Sequence, residues 1–196
     1  MMQVTSPTGS PAISEYDPWA ALGRLGHISA AKFHVWRKQM GDTATPRNQP
    51  TVSPGTVVVM ENGKGLFGQD LLNGRHRLVA DEPRASDGDD AGPNPYELLL
   101  MSLGACTSMT LRLYARRKQL PLTRVAVRLR HSRIHAEDCA NCETKTGFID
   151  RIDREIVLEG PLDEDQRKRM MEIANMCPVH RTLTSEISIV TQLAPA

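Results

Sequence analysis

The side chains best equipped for covalent chemistry in this chain are four cysteines, Cys106, Cys139, Cys142 and Cys177. A thiol reacts as its thiolate, so what surrounds each sulfur decides what it can do. Cys106 lies in an uncharged, apolar run from Leu98 to Leu111. A free cysteine in such a place is often only a small core residue. Its neighbours point further: Gly104 costs about 1 kcal/mol against alanine in a helix interior. Thr107, Ser108 and Thr110 supply hydroxyl donors that a sulfur anion would use. Cys177 completes an apolar stripe with Met170 and Ile173, and Pro178 follows it. The residue before a proline is pushed out of helical geometry. If Pro178 opens a new short helix, Cys177 becomes its N-cap, where free backbone N–H groups and the helix dipole favour thiolate. His180 is placed to add a positive charge. On these grounds Cys177 is the more acidic of the two. Two thiols meeting on packed helix faces could react with a peroxide and then with each other.

The other two cysteines belong to a different pattern, His131-x3-His135-x3-Cys139-x2-Cys142. The residue types suit zinc. On one extended strand the two histidines would stand about 13 Å apart, at ~3.3 Å per residue, so one ion cannot take both. His135, Cys139 and Cys142 remain compatible with a zinc ion at this loop; the plain alternative is an exposed loop with two incidental thiols. Glu137, Asp138 and Glu143 flank them and disfavour thiolate, which makes these sulfurs poor peroxide traps.

The elements that must position the cysteines can be read from the pattern. Residues 1–54 are rich in Pro, Gly, Ser and Thr and read as an irregular arm. Ser29 caps one short helix, Ala30–Met40, and Gly41–Pro54 is a linker. From residue 55 a single domain runs to residue 196. It opens with three strand-like runs, Thr56–Met60, Leu66–Leu72 and Arg75–Asp81, separated by Asn62-Gly63 and Asn73-Gly74, which are hairpin-turn pairs. An acidic, Gly-rich loop from Pro83 to Pro93 leads to the clearest helix. Asn94 is its N-cap, Pro95 its first residue and Glu97 the partner in a capping box. The helix runs to Lys118 and is apolar all round at its centre, which predicts burial on every side. Val125, Val127 and Leu129 mark a strand, and Ile152, Ile156 and Leu158 another. Asp163 and Gln166 open a second helix, and Ile187, Ile189, Thr191 and Leu193 mark a last strand. The order βββ-α-ββ-α-β makes an α+β fold.

Composition bounds the function. The chain has 196 residues, with 24 basic and 23 acidic side chains and 4% aromatics. That balance lacks the basic footprint of a nucleic-acid binder and the aromatic platform for single strands. The Leu98–Leu111 run is shorter than the roughly 18 residues of a membrane span. The N-terminal residues have neither a basic nor an apolar leader segment, so a cytoplasmic, reducing location is the expectation.

Two segments, GPNPYELLLMSLGACTSM (92–109) and IANMCPVHRTL (173–183), resemble the signature segments of the OsmC/Ohr superfamily, the osmotically inducible protein C and organic hydroperoxide resistance proteins. The resemblance covers roughly residues 55–193. It implies an intertwined α+β homodimer with two active sites at the subunit interface. It also implies thiol-dependent reduction of organic hydroperoxides, reset by an external dithiol and needing no metal or flavin. Carried over, Cys106 is the peroxidatic cysteine and Cys177 the resolving one, the reverse of the acidity argument. Family members carry a glutamate ten residues before the first cysteine; here Tyr96 holds that place and Glu97 follows. Glu97 is thus either a displaced catalytic carboxylate or only the capping-box residue. Members also hold the thiolate with an arginine from the early strands, for which Lys64, Arg75 and Arg77 are the candidates. Leu99, Leu103, Met109, Met170 and Ile173 are the expected apolar lining. The alternative function is a family-shaped scaffold that binds a small ligand or a partner with little turnover.

Overall fold

The computed structural model describes residues 52–195, which fall in two compact units divided between Pro93 and Asn94. The expected arm helix Ala30–Met40 lies outside the described residues.

The first unit is an antiparallel meander of β1 (Val58–Glu61), β2 (Gln69–Leu72) and β3 (Arg77–Ala80), in that order. The register sets Val58 opposite Leu72 and Gln69 opposite Ala80. Both Asn-Gly steps lie in the connections, yet neither pair supplies the two central residues of a turn. Asn62 N donates to Gly68 O across a longer loop, and Asn73 N donates to His76 O. Asn73 Oδ1 accepts from the N–H groups of Arg75 and His76, so the side chain shapes the turn that Gly74, at φ 84°, completes. The acidic loop winds round the buried Asp81 carboxylate, which accepts from the backbone N–H groups of Glu82, Asp89 and Ala91. Gly92 passes so near β3 that a Cβ there would lie 2.2 Å from Val79 O.

The second unit holds α1 (Pro95–Arg117), β4 (Arg124–His135), β5 (Phe148–Glu159), α2 (Glu164–Ala174) and α3 (Pro178–Leu183). The starts of α1 and α2 are as the sequence dictates. Asn94 and Glu97 form a reciprocal capping box with Pro95 in the first turn, and Asp163 and Gln166 form another. β4 and β5 pair antiparallel along their whole length, from Arg124 opposite Glu159 to His135 opposite Phe148. Leu111 and Ala115 of α1 pack with Leu122, Leu162, Met170, Ile173 and Ala174 in the core. Gly104 of α1 meets β4: a Cβ there would lie 2.8 Å from the Leu129 Cδ1.

Two expectations are corrected here. The centre of α1 is not buried all round. Leu103, Gly104, Thr107, Leu111 and Ala115 form a buried stripe, while Met101 and Met109 are 57% and 71% exposed. At 23 residues α1 is also long and apolar enough to cross a membrane, beyond what its uncharged run indicated. The final strand is missing as well. Residues 186–195 have no regular secondary structure, and Ile189 and Leu193 are exposed. Their alternation is real, but a strand needs an edge to pair with, and these residues pair with none among the described residues. The order is βββ-α-ββ-α-α, still α+β.

Candidate active site

The structure brings Cys106 and Cys177 together. Cys106 lies mid-way along α1, on a partly exposed flank beside the buried stripe. Cys177 is fully buried at the N-cap of α3, with Pro178 in the first turn. Pro178 has no N–H, so the first free amides of α3 are those of Val179 and His180. Burial opposes ionisation of Cys177. Hydrogen bonds from the Cys106 thiol, the His180 backbone N–H, the Thr107 hydroxyl and the Val179 backbone N–H outweigh it and draw its pKa below the ordinary cysteine value. Burial pushes the Cys106 thiol up, and the adjoining Cys177 sulfur pushes it further; the Val179 N–H and Thr110 offset this in part. The pair thus holds its proton on Cys106 and its developing charge on Cys177.

One partner of this pair was not singled out from the sequence. Arg154 of β5 reaches the site from the opposite side. Its guanidinium donates to Thr107 Oγ1 at 3.0 Å, to Ala174 O at 3.3 Å and to Asn175 Oδ1 at 2.8 Å. Thr107, itself fully buried, is among the groups that lower the Cys177 pKa. Arg154 thus holds the hydroxyl that helps Cys177 to ionise. A signal for it was present: Arg154 occupies the same strand phase as Ile152, Ile156 and Leu158, an arginine in an apolar alternation. His180 does not supply the positive charge expected of it. Burial and the nearby Arg154 charge lower its pKa, so near neutral pH its backbone amide is what serves the sulfur.

Cys106 opens onto a cavity of about 390 Å³ lined by Ser102, Ala105, Met109, Thr110, Leu113, Pro178 and Val179. Of the expected lining only Met109 is there. Leu103, Met170 and Ile173 are buried, the last two in the core cluster, because they lie on the stripes that pack the helices together. A second cavity of about 490 Å³ runs between α1 and β4, from Glu97 and Leu100 to Val125, Val127 and Leu129.

Glu97 is not brought to the sulfurs. Its carboxylate accepts from Asn94 N at 2.9 Å, and it lies nine residues before Cys106, ~13 Å along a helix that rises ~1.5 Å per residue. Lys64, Arg75 and Arg77 belong to the first unit, where Arg77 is paired with Asp70 at 2.7 Å. Cys139 and Cys142 are joined to each other as a disulfide, a pairing the sequence reading did not consider. His135 ends β4 and packs its ring on Phe148, and His131 stacks on Tyr96. Among the described residues no group of three or more His, Cys, Asp and Glu side chains is gathered as a metal site.

Comparison with known proteins places this geometry. No functionally curated protein matches the chain. Among solved structures it is similar to an OsmC-like protein from Mycoplasma pneumoniae, with a TM-score of 0.52, 21% identity, and coverage of 65% of this chain and 85% of that one. An organic hydroperoxide resistance protein from Legionella pneumophila matches with a TM-score of 0.48 at 20% identity, covering 66% and 89% of the two chains. One from Bacillus subtilis matches with a TM-score of 0.47 at 18% identity, covering 66% and 90%. The OsmC-like protein family matches residues 88–192, more than half of the sequence and the whole stretch from the first-helix loop past both cysteines. The chain belongs to the OsmC-like protein family.

Proposed function

We propose that this protein is a cysteine-based, thiol-dependent peroxidase that reduces organic hydroperoxides. The observation that carries the reading is the Cys106–Cys177 contact at the edge of an apolar cavity. Access and acidity are divided between the two sulfurs. Only Cys106 faces the cavity, so a hydroperoxide meets it first. Cys177, held as the thiolate by the donors around it, takes the Cys106 proton along their hydrogen bond as Cys106 attacks the distal oxygen. The O–O bond breaks, leaving Cys106 as a sulfenic acid, and the proton passes from Cys177 to the departing alkoxide to give an alcohol. The Cys177 thiolate then attacks the Cys106 sulfur. The S–S bond forms, and hydroxide leaves and is protonated to water. An external dithiol resets the pair. In this reading the more acidic thiol need not be the first nucleophile. The apolar lining favours an alkyl hydroperoxide over hydrogen peroxide.

The chain acts in this reading as a homodimer. The apolar face of α1 that carries Met101, Met109 and Leu113 is exposed in the single chain, beside the cavity. A second copy would cover it. Sedimentation equilibrium at low micromolar concentration is expected to give a dimer; a folded monomer would refute this part.

A steady-state assay with cumene hydroperoxide and a dithiol tests the activity. Wild-type turnover no faster than that of Cys106→Ser would overturn it. That equality is what the second reading expects, a small-ligand or interaction scaffold. The observation favouring that reading is the larger cavity between α1 and β4, which no cysteine lines.

A further inference from the structure

We propose that Cys139 and Cys142 form a second redox couple, a dithiol–disulfide exchange site in the β4–β5 connection that takes electrons from a protein dithiol. The two residues are bonded across two intervening residues, with Cα atoms 5.5 Å apart. As a staple this bond has little to hold. β4 and β5 pair along their full length, and Ala136 N donates to Gly147 O at 2.8 Å, so the ends of the connection are already fixed. A cross-link restrains the unfolded chain less as the loop it closes becomes shorter, and this one joins positions three apart.

The local backbone is also set up to keep its shape with the bond open. Cys139 N donates to Ala136 O at 3.1 Å, and Lys145 Nζ donates to Cys142 O at 2.7 Å. Neither contact uses a sulfur. Both residues are half-exposed, within reach of an attacking thiolate. The couple is separate from the cysteine pair of the active site. Arg154, which serves that pair, lies opposite Leu129, and six residues of β4 separate Leu129 from His135, ~20 Å at ~3.3 Å per residue. The two pairs therefore belong to different levels of the β4–β5 ribbon.

In the exchange, a thiolate of the incoming dithiol attacks one sulfur of the Cys139–Cys142 bond. That bond breaks, a mixed disulfide forms, and the freed sulfur takes a proton. The second thiol of the reductant then attacks the mixed disulfide. Two electrons have passed: Cys139 and Cys142 become thiols, and the reductant becomes a disulfide.

The test uses the full-length wild-type protein, oxidised, with thioredoxin kept reduced by its reductase and NADPH as the probe. Differential alkylation and peptide mass spectrometry follow each cysteine pair separately, while near-ultraviolet circular dichroism follows the fold. The proposal expects the Cys139–Cys142 peptide to become doubly alkylated within minutes, at least about tenfold faster than with an equal concentration of a monothiol. The fold signal should stay unchanged, and removal of the reductant should restore the bond. A bond that opens only when the protein unfolds would overturn it. So would protein isolated with both sulfurs reduced on a stoichiometric zinc ion. Because the two pairs are read by separate peptides, exchange at 106 and 177 without exchange at 139 and 142 rejects this proposal alone. The reverse result leaves it standing and counts against the peroxidase reading.

Discussion

The molecule holds two cysteine pairs, and their surroundings differ in every respect that matters to sulfur. Cys106 and Cys177 come from different helices, 71 residues apart in sequence, and meet beside the core among aimed donors. Cys139 and Cys142 come from one short connection, are bonded to each other, and lie among Glu137, Asp138 and Glu143. The first pair has Cys177 drawn toward thiolate by the Cys106 thiol, Thr107 and two backbone amides, with Arg154 holding Thr107. Residue type alone does not distinguish them. The contrast teaches that a thiol's role is set by which donors the fold points at it, and that those donors can come from strands far from either cysteine in sequence.

The largest effect expected from breaking this contrast is at Cys106. Cys106→Ser should lower hydroperoxide turnover about a thousandfold or more, since no other accessible sulfur is activated. Cys177→Ser should slow the first turnover, since the base for Cys106 is gone, but still allow it, seen as a trapped sulfenic acid at Cys106 by mass spectrometry, and should lose repeated cycling.

A smaller effect should follow from cutting the donor chain. Arg154→Met and Thr107→Val each remove help to the Cys177 thiolate, so its pKa rises. The pH midpoint for alkylation of Cys177 should move upward by about one unit, equivalent to ~1.4 kcal/mol. Turnover at neutral pH should fall roughly tenfold. Thr107→Ser should restore the midpoint, because it keeps the hydroxyl; a purely structural role for Thr107 would leave the midpoint where it is in the valine variant.

His180 gives a subtler signature. Its folded pKa is lowered by burial and by the Arg154 charge, so in acid the unfolded imidazole binds its proton before the folded one does. The contribution to stability is complete above about pH 6.5 and is lost as pH falls toward the folded value. The melting temperature of the wild type should drop more steeply between pH 7 and pH 5 than that of His180→Asn. Differential scanning calorimetry across that range checks it.

The smallest change is expected at the second pair. Cys139→Ala/Cys142→Ala should keep most peroxidase turnover with a small-molecule dithiol as reductant. Its melting temperature should fall by no more than about 8 °C, since closing so short a loop restrains the unfolded chain by ~2 kcal/mol at most. Abolished turnover in a still-folded double variant would mean that the redox pair has been misassigned.

Much of this arrangement was legible in the residues. Local chemistry wrote the helix starts: Asn94 with Glu97 and Asp163 with Gln166 needed only their own neighbours to be capping boxes. Pro178 opening α3 after Cys177 was equally local. What escaped depended on tertiary placement. The isoleucines alone mark the strand of Arg154, and the meaning of an arginine in their phase depends on what lies across from it. The expected strand at 187–193 has the right alternation, but alternation cannot supply an edge. His180 carries the residue type of a cation, and its depth in the fold, with Arg154 nearby, disfavours that charge. Sequence spacing placed Cys139 and Cys142 near each other, and whether they share a metal or a bond is a matter of oxidation state that spacing does not carry.

The Thr107 hydroxyl has a consequence of its own. It has a single proton, and Arg154 occupies one of its lone pairs from behind. The guanidinium disfavours turning that proton back toward Arg154, so the hydroxyl is biased to donate to a negative sulfur beside it. That bias is set by the fold and not by anything that enters the cavity. Little solvent or side-chain reorientation is then needed during the reaction, so the barrier is lowered by a cost already met when the chain folded.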